Sequence, residues 1–251
     1  MTIKELALEV WKEYNKIDKT KYRIKNPSIP IMYFGDYEKY IKSPLKVITV
    51  GLNPSHEEFP TQAPFKRFFG AEKIYKKEKL DESNTEIYLN SLNTYFKNQS
   101  YNWFDNFEPI LNEMDCSFYL GYRNTALHTD FCSPYATNVT WAEYEKTTSK
   151  ESVKDIGRKG TKFWNDLVNI LKPDAILVSL RRSYRESFFK NQNLDWRILI
   201  EFTKKANGQE RKNAYKVTCS IVNIDETKSL LVYGPNNVVP FMITTEPKKN
   251  N

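Results

Sequence analysis

The chain has 251 residues, 40% of them hydrophobic and 27% charged, with a formal net charge of +7 and a sequence pI of about 9.0. That length suits one large α/β domain or two small ones, and the composition excludes a disordered chain. No apolar run approaches the ~20 residues of a membrane span, and Met1-Thr2-Ile3-Lys4-Glu5 lacks the apolar core of a signal peptide. The cysteines Cys116, Cys132 and Cys219 are scattered, which points to a reducing cytoplasm without a disulfide framework or a zinc site. With His56 and His128 as the only histidines, a histidine-based metal site is not expected. No Gly-x-Gly-x-x-Gly follows a strand pattern and there is no Walker A loop. A cytoplasmic monomer with no metal and no cofactor is the expectation.

Thr2 and Glu5 form a capping-box pattern. Ile3, Leu6, Ala7, Val10, Trp11 and Tyr14 follow at helical spacing and predict a helix over about 2–16. An irregular, Pro-containing segment covers 21–44. The apolar run over 45–50 reads as a buried first strand. Residues 70–101 are polar, rich in Lys and Asn, and read as a surface insertion with a helix near 86–96. Trp103, Phe104, Phe107, Ile110, Leu111 and Met114 mark a core-facing helix. A second strand lies within 118–129, broken or bulged at 121–124. Val153, Ile156, Phe163, Trp164, Leu167, Val168 and Leu171 share one side of a long helix that ends before Pro173. The run over 175–180 reads as a buried parallel strand, and further strands are expected over 215–222 and 230–233. Without an internal repeat or a clear linker, the alternation predicts a single three-layer α/β/α domain over 1–251, with a central, mostly parallel sheet.

The basic residues cluster. Lys66, Arg67, Lys73, Lys76, Lys77 and Lys79 form one group, Arg181, Arg182 and Arg185 a second, and Lys204, Lys205, Arg211, Lys212 and Lys216 a third. Such patches fit contact with a phosphate backbone; a solvated lysine-rich surface is the plainer reading. Three segments fall after strand patterns, where open α/β sheets bind ligands. The first is Gly51-Leu52-Asn53-Pro54-Ser55-His56, with Phe65 twelve residues after Asn53. The others are 128–137 and 234–241. Asn53 would present a carboxamide at the sheet rim, on backbone that Pro54 restricts. Each residue also has a plain reading. Asn53-Pro54 is a common turn, Phe65 a core ring, His56 a loop cap, Asp130 an Asx-turn residue, and Val238 and Val239 hydrophobic anchors.

Taken together, the three segments resemble the uracil-DNA glycosylase superfamily, nearest its single-strand-selective and mismatch-specific branches. Gly51-Leu52-Asn53-Pro54-Ser55 matches the motif Gly-x-Asn-Pro-(Gly/Ser), and Pro64-Phe65 stands where those branches stack an aromatic ring on the flipped base. His128-Thr129-Asp130-Phe131-Cys132-Ser133-Pro134 resembles the base-reading strand end, and Asn138-Val139-Thr140-Trp141-Ala142-Glu143 also looks like the single-strand-selective branch. The third segment sits where the superfamily carries a Pro-containing loop that enters the minor groove. The resemblance runs in order over about residues 31–241. It implies a uracil-DNA glycosylase-like fold, DNA as partner, and a monofunctional glycosylase that flips a base out and hydrolyses its N-glycosidic bond to leave an abasic site. Asn53 would orient the water, with His56 as a second catalytic candidate. Phe65, Leu52 and Asp130 would contact the base, with Asn124 a rival to Asp130. Ser55, Lys66, Arg67, Arg181, Arg182, Pro235, Asn236, Asn237 and Val238 would contact DNA.

Two departures bear on the substrate. The superfamily's third loop begins with a His that stabilises the departing base, and Gly234-Pro235-Asn236-Asn237 has none. Asn236, Asn237 or backbone N–H groups would have to supply that stabilisation. The base reader is usually Asn, whereas here the best-aligned residue is Asp130. An ionised carboxylate only accepts hydrogen bonds, so it fits the amino group of cytosine better than the carbonyl of uracil. The expectation is therefore excision of a modified cytosine; the resemblance, through prokaryotic relatives that excise hypermodified bases, implies phage DNA as its source and antiviral defence as the role. Uracil or mismatch repair is the alternative within the class, and a catalytically silent nucleic-acid-binding module is the alternative outside it.

Overall fold

The computed structural model describes residues 1–97, 102–189, 194–204, 207–235 and 240–242. The capping box at its start forms in full. Thr2 Oγ1 accepts from the Glu5 N–H, and the Glu5 carboxylate accepts from the Thr2 N–H. It opens α1 (Ile3–Lys16), and all six apolar residues that predict this helix are buried.

The sheet is built on β1 (Val47–Gly51) and β5 (Ala175–Ser179), both buried at every residue. The remaining strands are β4 (Leu127–Asp130), β6 (Arg197–Lys204), β7 (Glu210–Ile224) and β8 (Thr227–Gly234), and the six-stranded order is β4-β1-β5-β8-β7-β6. β4, β1, β5 and β8 pair in parallel, while β7 joins β8 and β6 joins β7 antiparallel. The continuous apolar runs of β1 and β5 reflect cover on both faces. One cover is α8 (Lys150–Leu171), whose Trp164 Nε1 donates to Thr129 Oγ1 at 3.0 Å, with α1 packed beside it. Side chains alternate along β4, so His128 points to the opposite face. There Trp103 and Phe104 of α5 (Asn102–Asp105) pack on its ring. Helices on both faces of a mostly parallel sheet make one α/β domain, as the alternation predicts.

Several elements differ from the sequence expectation. The stretch read as a surface insertion is part of the interior over its described residues. Its helices are α3 (Ala71–Lys77) and α4 (Glu82–Asn93), and Tyr88, Leu89, Leu92, Tyr95 and Phe96 are buried. Its lysines and glutamates lie outward while Asn84, Thr85 and Ser91 are buried with the apolar residues, so composition hid an inward face. The helix expected around 103–114 is two, α5 and α6 (Glu108–Asn112). Pro109 sits in the first turn of α6 and has no N–H to continue a longer helix. The expected strand within 118–129 is two short pieces, β3 (Asn124–Thr125) and β4, and β3 pairs with β2 (Cys116–Ser117) in a separate two-stranded sheet. The segment 21–44 contains α2 (Tyr37–Lys42), capped by the Asp36 side chain. The segment after β4 leads into α7 (Trp141–Thr147), and β5 is followed by α9 (Arg182–Phe188).

The seat of α8 depends on one missing side chain. A Cβ at Gly160 would lie 1.9 Å from the Cys132 carbonyl oxygen, so α8 reaches the segment after β4 only because residue 160 is glycine. Gly157, in the same helix, has open space around its Cβ position. Gly160→Ala should therefore destabilise the protein by about 1–3 kcal/mol through overpacking. Gly157→Ala should be neutral or stabilise by up to ~1 kcal/mol through helix propensity. Urea unfolding of the two variants checks this; equal effects would mean that α8 shifts freely at Gly160.

Candidate active site

Parallel pairing places the carboxyl ends of β4, β1, β5 and β8 on one edge, and the segments that leave them meet there. Pairing between the first two continues past the strands, with Phe131 N–H donating to Gly51 O at 3.0 Å and Cys132 N–H to Leu52 O at 2.8 Å. Asn53 follows directly and is half-buried. Its Nδ2 donates to Thr137 Oγ1 and to the Pro54 carbonyl, both at 3.0 Å, and Thr137 Oγ1 donates onward to Val139 O at 2.7 Å. The two amide hydrogens are thus occupied, and Asn53 Oδ1 accepts no hydrogen bond among the described residues. The amide is oriented, with a free acceptor at the sheet edge.

Around it, Leu52 is half-buried, and the exposed Ser55 caps a 3-10 turn at His56–Glu58 by accepting from the Glu57 N–H. His56 Nδ1 is buried without a hydrogen-bond partner among the described residues. Phe65 is half-buried, its ring 6.3 Å from Phe59 and 5.2 Å from Tyr75. Lys66 is exposed. Arg67 turns inward: its Nη1 lies 3.0 Å from Oε2 of the buried Glu58, which also accepts from Tyr95 Oη at 2.5 Å. Burial pushes the Glu58 carboxyl above the usual carboxylate range, opposed by Arg67 and Tyr95.

Asp130 ends β4 in register with Gly51. Its side chain is only 3% exposed and faces His128, with Oδ1 3.6 Å from Nε2. That is too long for a hydrogen bond. On the other side of the ring, Thr49 Oγ1 lies 2.7 Å from His128 Nδ1. In the tautomer that turns Nε2–H to the carboxyl, Nδ1 accepts from the Thr49 hydroxyl. Phe34, Trp103, Phe104 and Phe107 surround the imidazole at 5.1–6.2 Å between ring centres. A Cβ at residue 51 would stand 2.5 Å from Asp130 Oδ1 and 2.9 Å from His128 Nε2, so the pair requires glycine above it. Burial raises the Asp130 carboxyl above its ordinary range, and His128 offsets this only in part.

Asn124 does not join this cluster. It is buried in β3, where Oδ1 accepts from the Leu45 N–H and Nδ2 donates to Asp115 O. Leu45 leads into the amino end of β1, away from the edge that carries Asn53. Arg181 and Arg182 are exposed just past β5, and Arg182 pairs with Glu186 at 3.0 Å. Arg185 lies over the rings of Trp196 and Tyr233, 4.9 Å from each. Pro235 is half-buried after β8. Asn236, Asn237, Val238, Val239 and Lys205 lie outside the described residues. Among the described residues no group of three or more potential metal ligands occurs, and no helix is long and apolar enough to cross a membrane.

Sequence reasoning missed Glu58, Tyr95, Thr137 and the Thr49–His128 contact. The His56-Glu57-Glu58 run looks like solvated surface, and only its closure onto Arg67 makes Glu58 interior. Comparison with protein-family models, curated proteins and solved structures finds no match to this chain.

A carboxyl with a raised native pKa holds its proton more tightly in the folded state. The contribution of Asp130 to stability is then greatest at low pH and declines as pH rises from the unfolded value, about 4, through the raised native one. Asp130→Asn removes this titration, so stability should fall less steeply above pH 4 than in the parent. Urea unfolding across pH 4–8 measures the slope; identical slopes would show that Asp130 titrates alike folded and unfolded.

Proposed function

We infer that this protein is a monofunctional DNA glycosylase acting at the edge that carries Asn53. The supporting observation is the oriented Asn53 amide, with both hydrogens engaged and Oδ1 unbonded among the described residues. Such an acceptor can hold a water beneath the anomeric carbon of an extruded nucleotide. It need not be a strong base, because N-glycosidic cleavage builds an oxocarbenium-like sugar before the water bonds. The half-buried Phe65, twelve residues after Asn53, would supply a stacking surface for the flipped base, a contact worth ~1–3 kcal/mol. Lys66, Arg181 and Arg182 are exposed cations suited to the phosphates on either side. The resemblance to the uracil-DNA glycosylase superfamily supports the same reading.

The preferred substrate in this reading is a modified cytosine, with removal from phage DNA as the biological setting. Asp130 would read its base edge; its side chain is 3% exposed beneath Gly51, so base reading requires the segment that starts at Gly51 to move aside. Its protonation decides what it reads. Ionised, it offers acceptors only and favours the cytosine amino group. Neutral, it offers one donor and one acceptor, which also suit the N3–H and O4 of uracil.

Asn53→Ala should lower single-turnover excision by ~10²–10³ and leave DNA affinity within a few-fold. Alkaline cleavage of end-labelled strands carrying uracil, hydroxymethylcytosine or glucosylated hydroxymethylcytosine reports the lost base. Full activity in a folded Asn53→Ala protein would remove Asn53 from the chemistry. Failure of the parent on every strand would leave the silent binding module.

For Asp130, the ratio of cytosine-type to uracil-type excision should rise with pH in the parent. It should be flat in Asp130→Asn, whose amide does not ionise. A parent ratio that ignores pH would take Asp130 out of base reading.

A further inference from the structure

The sheet continues past the candidate site as a two-stranded arm. β7 is 15 residues long, but β8 pairs only with its second half, Thr218–Ile224. Before Thr218, β7 pairs with β6 alone, through Val217, Lys216, Tyr215 and Glu210. Thr218 stands opposite Tyr233, one residue before β8 ends at Gly234, and Gly234 is level with Ser179 of β5. The arm therefore leaves the sheet at the carboxyl edge, the edge of Asn53, Arg181 and Pro235. The register slips between Phe202 and Lys204, so this part of β7 faces only the five residues Ile200–Lys204. At about 3.3 Å per residue they carry the arm roughly 16 Å outward. At its root Tyr215 Oη packs against Gly234, where a Cβ would meet it at 2.7 Å.

The arm is cationic and apolar at once. Arg197, Lys204, Arg211, Lys212 and Lys216 stand along it with Glu201 and Glu210. Lys216 meets Glu201 at 3.3 Å and Lys204 meets Glu210 at 3.7 Å; both pairs are exposed and worth little. Arg211 and Lys212 have no carboxylate partner among the described residues, and Arg211 Nε donates to the Lys204 carbonyl at 2.9 Å. Near the root, Ile198, Leu199 and Ile200 are 54%, 56% and 47% exposed, on an edge strand with no outer strand partner among the described residues. Apolar side chains on a free edge are a liability unless something covers them.

We propose that the β6–β7 arm is a duplex-binding ribbon that lies in the major groove beside the nucleotide extruded at the Asn53 edge. A major groove is ~12 Å wide and admits a two-stranded ribbon. An arm of this reach crosses it, so Arg211 and Lys212 meet the far phosphates while Arg181 and Arg182 hold the near ones. Ile198, Leu199 and Ile200 then face the groove wall instead of water. The position of the arm beside an extruded base rests on the glycosylase reading; its binding to duplex does not.

The test uses the full chain and its double variant Arg211→Gln, Lys212→Gln, both sites on the arm and remote from Asn53. Fluorescence anisotropy measures affinity for an unmodified labelled duplex, and for one of its strands, across a salt series. The variant should bind duplex at least tenfold more weakly at low salt, with a log–log salt slope smaller by about two. Single-strand binding should change less, and the urea midpoint should stay that of the parent. An unchanged slope overturns the proposal, as does an equal loss on single strand, which would make the arm a general polyanion contact. Excision measured with enzyme saturating over DNA separates the two readings. Excision without arm-dependent binding leaves the glycosylase reading and removes the arm. Arm-dependent duplex binding without excision of any base does the reverse.

Discussion

Strands that hydrogen-bond in parallel must end on the same side of their sheet, and in this protein that constraint decides which residues can meet. β4, β1, β5 and β8 are far apart in sequence, yet their carboxyl ends lie level. The register between β1 and β4 goes further. It sets Gly51 opposite Asp130 and Thr49 opposite His128, so the glycine covers the carboxyl and the threonine engages the imidazole. A slip of β4 by one residue would turn His128 and Asp130 to the α8 face and break both contacts. The antiparallel addition of β7 then has a consequence that parallel strands alone would not. A strand running back along β8 overshoots the shared edge, and the overshoot becomes the arm.

Two buried carboxylates stand close to that edge, and they are compensated differently. Glu58 has a bonded cation and a phenol. Removing one partner of such a pair typically costs ~3–5 kcal/mol, whereas exposed pairs such as Lys4–Glu86 contribute ~0–1 kcal/mol. Arg67–Glu58 is thus the ion pair on which the Gly51–Phe65 segment depends. Among the described residues Asp130 has only an imidazole at 3.6 Å. A buried carboxyl with so little compensation is a poor structural device, and perturbed groups of that kind concentrate at functional sites.

Much of the architecture was legible because it rests on periodicity. The capping box, the α1 stripe, the long α8 stripe before Pro173 and the runs of β1 and β5 each read directly as the element they form. Errors came where composition and pattern disagreed. The Lys- and Asn-rich stretch before Phe96 reads as polar surface, but Tyr88, Leu92 and Tyr95 turn the inner face of α4 and its exit into core. β6 was missed because Ile198, Leu199 and Ile200 give neither alternation nor burial; the buried residues of the arm, Tyr215 and Val217, lie on β7. In the site, the Asn53 loop was legible from Gly-x-Asn-Pro. Thr137, which holds the amide, was not, since a contact across 84 positions leaves no local trace.

The charge pattern shows the same limit most clearly. A count of cations treats every Lys and Arg alike, and here it yields +7. Folding sorts them by what desolvates them. Arg67 is turned inward onto Glu58, and Arg185 lies across Trp196 and Tyr233, so both belong to the framework around the edge. Lys66, Arg181, Arg182 and Lys212 keep exposed side chains around the same edge and along the arm. The outward set is what a polyanion can reach, and the inward set fixes the loops that present it. Neighbouring residues thus do opposite work: Arg67 braces the segment from which Lys66 projects.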